Sequence, residues 1–95
     1  MTIRTAIQNK QRISFKYDGY TRVVEPHTYG VDTNGHKALR GFQVSGGSSS
    51  GEYRGWKLFH VDEMQELTLL QEIFSGARPS YNRGDKTFAI IYEQL

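Results

Sequence analysis

Arg12-Ile13-Ser14-Phe15-Lys16-Tyr17-Asp18-Gly19-Tyr20-Thr21-Arg22-Val23-Val24 is the stretch that decides the fold. Ile13, Phe15 and Tyr17 alternate with Arg12, Ser14 and Lys16. That period of two predicts a strand with one buried face. Asp18-Gly19 then predicts a tight hairpin turn, because glycine accepts the positive φ that such turns need. A second strand is expected from Thr21 to Val31. Pro26 removes a ladder donor in its middle, which calls for an edge or a bulge.

Working outward, Asn34-Gly35 predicts a second hairpin. A third strand follows over 36–45. Gly46-Gly47-Ser48-Ser49-Ser50-Gly51 has the composition of a flexible loop. Trp56 to Val61 forms the fourth strand, Asp62-Glu63-Met64 a short turn, and Leu67 and Leu69 mark a fifth strand. Upstream, Ile3, Ala6 and Ile7 share one stripe of a short helix with Thr2 as N-cap. Residues 73–83 show no clear period and are expected to wrap the outside through Phe74, Pro79 and Tyr81. In the last stretch Phe88, Ile91, Tyr92 and Leu95 have helical spacing, yet the run 88–92 suits a strand equally well.

The 95 residues make one domain, 1–95, with its core in 3–70 and an extension over 71–95. About five short strands bury one face best by curling into a small barrel. The expected class is therefore mainly β, a small barrel with a short N-terminal helix. The chain has no cysteine, which excludes disulfides, thiolate zinc sites and cysteine nucleophiles. No apolar run reaches membrane-spanning length and no signal-peptide pattern opens the chain, so a cytoplasmic location is expected.

Net charge is only +2, but it is unevenly spread. Residues 1–57 hold nine Lys or Arg against four acids, and residues 58–95 hold three against six. Such asymmetry can mark an anion-facing side or merely solvated charge. Lys57 shares a face with Phe59 and Val61 by alternation, and so points toward the mouth of the barrel. Arg40 lies similarly on the face of Ala38, Phe42 and Val44. Two arrangements remain open. Arg22 pairs with Glu25 or another acid while Lys57 snorkels, or Arg22, Arg40 and Lys57 converge on an anion. Tyr17, Tyr20, Tyr29, Tyr53 and Trp56 are aromatic candidates for stacking a base, with Tyr53-Arg54-Gly55-Trp56 the exposed cluster.

Catalytic patterns are missing. The Gly-Gly-Ser-Ser-Ser-Gly stretch lacks the Gly-Lys-Ser/Thr ending of a phosphate loop. His27, His36 and His60 are scattered, and His60 with Asp62 and Glu63 has no metal-specific spacing. No enzyme activity, metal or cofactor is expected.

The order of motifs resembles the WYL domain. Ala6-Ile7, then Ile13-x-Phe15-x-Tyr17, then Arg22-x-Val24-Glu25-Pro26 follow the opening of that family. Gly35 and Leu39 occupy its glycine turn and leucine, and 57–64 resembles its R-x-F-x-[LV]-D-R-I segment. His36-Lys37-Ala38, or residues beside them, replace its tryptophan and tyrosine, and Glu63 replaces its second arginine. The resemblance spans about residues 3–70 and implies a standalone WYL-like module with an SH3-like barrel of the Sm type. It implies a role in transcription regulation or defence in prokaryotes or phage, through nucleic-acid or nucleotide ligands. On this basis Arg22 and Lys57 match family arginines and Tyr17 its strand tyrosine. The expected ligand site is Tyr17, Arg22, Arg40, Trp56 and Lys57, for single-stranded nucleic acid or a nucleotide. The alternative is a protein-interaction or oligomerisation adaptor that uses the barrel edge or Phe88–Leu95.

Overall fold

Val23 and Val24 lie in the longest strand among the described residues, and that strand organises the chain. The computed structural model describes residues 2–95. Helix α1 (Thr2–Asn9) leads into β1 (Gln11–Tyr17), β2 (Tyr20–Asp32), β3 (Lys37–Gly46) and β4 (Gly55–His60). A 3₁₀ turn (Val61–Glu63), β5 (Gln65–Ile73) and β6 (Phe88–Gln94) complete it. Strand order is β4-β3-β2-β1-β5, with β6 also on β2, and every pairing is antiparallel. The fold is mainly β, as the alternation predicts. β4 and β5 end the path and do not pair with each other.

β2 runs along β3 for most of its length. On its other edge it serves two partners in turn, β1 up to Val24 and β6 from Thr28. The changeover needs a bend, and the register against β3 slips at Val23/Val24 and again at Pro26/Thr28. The second slip follows the proline that cannot donate to the ladder. Both hairpins form at the expected turns. Asp18 and Gly19 have φ of 51° and 81°, the geometry that matches strand twist in a two-residue loop. At the second, the Gly35 amide donates to the Asp32 carbonyl at 3.0 Å.

The sheet is curled. Phe15 of β1 and Phe59 of β4 stand three strands apart in the order, yet their rings meet at 4.9 Å. Ile13, Val24, Tyr29 and Leu39 fill the same concave side. Ile3, Ala6 and Ile7 of α1 close it, buried as their stripe predicts. A helix of eight residues is marginal alone, so this apolar contact is what holds it. No helix among the described residues is long and apolar enough to cross a membrane.

Residues 88–95, whose spacing fits helix or strand, form strand β6. Gly30 explains the choice. A Cβ there would come within 2.0 Å of the Ile90 carbonyl oxygen, so only glycine lets β6 approach β2. Tyr92 then packs on Tyr29 at 5.3 Å, and the Leu95 amide donates to the His27 carbonyl. Segment 71–95, expected as an extension, thus supplies one of the six strands.

Gly30→Ala is expected to lower stability by at least about 1–3 kcal/mol, the usual cost of overpacking. Hydrogen exchange should show protection lost first in β6, with β1 and β3 amides still slow. Equal loss across all strands would show that β6 is not separately dependent on Gly30.

Candidate functional site

The pleat divides the five residues expected to bind ligand. Lys57 pairs with Gly41 and Phe59 with Leu39, on the concave side; Trp56 pairs with Phe42 and Leu58 with Arg40. Tyr17, Arg22 and Lys57 therefore gather at one end of the concave face. Arg40 and Trp56 belong to the opposite face.

Arg22 is 3% exposed. Its Nη2 donates to the Tyr17 carbonyl at 3.1 Å and its Nη1 to Gln43 Oε1 at 3.4 Å. Its Nε is buried without a partner. The guanidinium lies 5.4 Å from the Tyr17 ring centre, 5.9 Å from Tyr20 and 5.7 Å from Phe59. Those ring faces offset part of the lost hydration. Lys57 Nζ donates to the Glu52 carbonyl at 2.8 Å and to Ser48 Oγ at 3.2 Å. Among the described residues no carboxylate lies within ion-pair distance of either cation. The pairing of Arg22 with Glu25 is not formed, because Glu25 is taken by two other arginines.

The 46–51 stretch, expected as a flexible and unpacked loop, is folded over this end. Gly47 donates from its amide to the Thr21 carbonyl and accepts from Gln43 Nε2 at 3.0 Å. Gly46 sits so close to Thr21 that a Cβ would meet its carbonyl oxygen at 2.1 Å. Ser48 is buried, and its hydroxyl also meets that of Ser50. Composition alone hid this, because glycines that look like freedom here allow close approach. Tyr17 also fixes β4, since its phenolic oxygen accepts the His60 amide at 3.1 Å. Burial pushes that phenol up from its ordinary pKa.

On the opposite face Arg40 is neutralised. Its Nε meets Asp85 Oδ2 at 2.9 Å and its Nη2 donates to Thr87 at 3.1 Å. The expected convergence with Arg22 and Lys57 fails for Arg40. Alternation placed it with Phe42, but Phe42 belongs to this second face. Trp56 packs against His27, Phe42 and Tyr81 at 4.6, 5.6 and 6.2 Å, and its Nε1 donates to the Pro79 carbonyl. It is a clamp for residues 78–81 rather than an exposed platform. Tyr53, in contrast, is 64% exposed. Arg40, Trp56, Ser80, Tyr81, Asn82 and Asp85 line a cleft of about 230 Å³. That is below the roughly 300 Å³ where small-molecule sites usually begin.

Glu25, Arg78, Arg12 and His27, none of them among the residues that the sequence assigns to a site, hold this face. Glu25 is fully buried; Arg78 grips both its oxygens at 2.6 and 3.0 Å, and Arg12 adds contacts at 2.9 and 3.0 Å. Burial alone would push its carboxyl up, but the Arg78 and then the Arg12 hydrogen bonds win and hold it below its ordinary value. His27 donates from Nδ1 to the Glu25 carbonyl at 2.8 Å and accepts the Arg78 amide on Nε2 at 3.1 Å. Both nitrogens are used, so the ring is neutral, and burial lowers its pKa. The signal for Glu25 was the polar residue inside an apolar strand; Arg78 offered none. Comparison with protein-family models, curated proteins and solved structures gives no match.

The buried groups fix the sign of pH dependence. His27 resists protonation when folded, so unfolding takes up a proton below about pH 6.5. Its contribution is whole above that value and is lost as the pH falls. Glu25 acts likewise from about pH 4.3 downward. Urea midpoints should stay level above about pH 7, decline below about 6.5 and fall more steeply below about 4.3. A midpoint that stays level down to pH ~5 would contradict the neutral, buried state of His27.

Proposed function

We propose that this chain is a non-catalytic regulatory module that binds a phosphate-bearing ligand, single-stranded nucleic acid or a nucleotide, at the Arg22–Lys57 end. The fold is read as a small SH3-like barrel of the Sm type, similar to WYL domains. One observation carries the proposal: Arg22, through Gln43 and Gly47, and Lys57, through Ser48, meet the same covering loop, and among the described residues neither has a carboxylate within ion-pair distance. Leaving a guanidinium buried and unpaired costs several kcal/mol, so a site that keeps one is poised for an anion.

The ligand's phosphate takes the place of Ser48 Oγ and the Glu52 carbonyl at Lys57 as the loop lifts. Arg22 then gains a charged acceptor for its free Nε–H, with Gln43 and the Tyr17 carbonyl keeping the fork oriented. Exposed Tyr20, whose ring lies 5.9 Å from the Arg22 guanidinium, and exposed Tyr53, next to Glu52 in the chain, offer faces for a base. Trp56 has no part in this, and Arg40 none beyond holding the 85–87 segment.

A labelled oligothymidylate titrated at two salt concentrations tests the proposal. Binding should weaken with salt at roughly −0.7 in log–log slope per phosphate neutralised. Lys57→Ala should lower that slope by about one contact's worth, and Arg40→Ala should leave it unchanged. Absence of binding at low salt, or binding indifferent to salt, overturns it. The adaptor reading draws on β5, an end strand whose Ile73 is 71% exposed. Self-association abolished by Ile73→Lys, in a protein that ignores oligonucleotide, favours that reading instead.

A further inference from the structure

The end of the molecule marked by Asp32 and His60 has a different character. Asp32 closes β2, His36 precedes β3 across the hairpin turn, and His60 ends β4. Histidines separated by 24 positions in sequence stack here with ring centres 4.8 Å apart. His36 Nδ1 and His60 Nε2 each lie 3.7 Å from Asp32 Oδ2. All three potential ligand atoms fall within 4.8 Å of one another.

The surrounding hydrogen bonds leave these atoms facing each other. The backbone amides of Asn34 and His36 both donate to Asp32 Oδ1 at 2.9 Å, which fixes the carboxylate and turns Oδ2 toward the rings. Those bonds, with the His36 amide first, also hold the carboxyl below its ordinary pKa. His60 Nδ1 lies 3.1 Å from Glu63 Oε2. A carboxylate only accepts, so Nδ1 carries the proton. Nε2 of the same ring faces Asp32 Oδ2 at 3.7 Å, beyond hydrogen-bond distance.

From this geometry we infer that Asp32, His36 and His60 form a binding site for a divalent first-row transition ion of the zinc class. Two imidazole nitrogens and one carboxylate oxygen suit that class better than calcium or magnesium, which favour all-oxygen shells. Tetrahedral bonds of about 2.0–2.1 Å place ligand atoms about 3.3 Å apart, so the two 3.7 Å pairs need to close by a few tenths, and the two histidine nitrogens, within 4.8 Å of each other, draw together as their partly exposed rings turn. Glu63 is the outer carboxylate that orients a metal-bound histidine, an arrangement common around zinc. His36 and His60 are partly exposed, which gives the ion a path in and leaves a coordination position for solvent. The ion ties the β2–β3 turn to the end of β4. It does not depend on the phosphate-binding proposal, whose Lys57 lies about 10 Å away along β4.

Calorimetric titration of Zn²⁺ into the full chain, in a non-coordinating buffer, tests the site. One ion per chain should bind, with a rise in melting temperature. His36→Ala and His60→Ala should each abolish both effects, and circular dichroism should confirm that the variants stay folded. Glu63→Gln should weaken uptake by about 10- to 100-fold without touching a ligand. His27 cannot substitute, because both its nitrogens are already bonded. No heat and no melting shift at millimolar Zn²⁺ overturns the inference. So does uptake that survives loss of both histidines.

Discussion

A buried carboxylate constrains the rest of the structure. Glu25 stands where β2 hands its edge from β1 to β6, and it has no contact with water. A charge in that position must be paired or it disrupts the strand that carries it. Arg12 answers from β1 and Arg78 from the long connection before β6. The pair of arginines therefore does more than neutralise. It holds the 74–87 connection at Arg78 and sets His27 between the Glu25 carbonyl and the Arg78 amide, while Asp85 of the same connection meets Arg40. From there the chain enters β6 and completes the second half of β2.

The same demand for pairing separates the cations by role. Arg12, Arg40 and Arg78 all meet carboxylates and hold segments together. Among the described residues Arg22 and Lys57 meet only neutral oxygens, and one nitrogen of Arg22 meets none. A structural guanidinium has every reason to acquire an acid nearby, since the acid would cost little at the surface and relieve the burial. Ring faces and carbonyls are a weaker substitute. They hold Arg22 in place while leaving its charge available to an incoming anion.

Much of this was legible in the sequence because it depends on local geometry. Period-two alternation in 12–17 and glycine at positions 19 and 35 define strands and turns within a few residues. Pro26 marks a bulge by its own chemistry. The placement of Lys57 on the face of Phe59 follows from the same alternation. What was not legible depends on partners far away in the chain. The strand state of 88–94 was set by a free edge beside Gly30. The fate of Arg40 was set by Asp85, and that of Trp56 by the carbonyl of Pro79. The meeting of His36 with His60 follows from β3 and β4 pairing at Ala38 and His60, which no spacing rule encodes. The glycine-serine loop misleads for a related reason: its small residues serve close packing on Thr21 and Tyr20.

The direct measurement is the side-chain ¹H–¹⁵N spectrum of Arg22 followed while a short oligothymidylate is added. The unpartnered Nε–H should move strongly and slow its exchange with water as a phosphate takes it up, while Arg40 Nε–H, already bonded to Asp85, stays in place. An Arg22 signal that never moves while other arginines respond would contradict the central claim, and would leave its burial as a feature of the core alone.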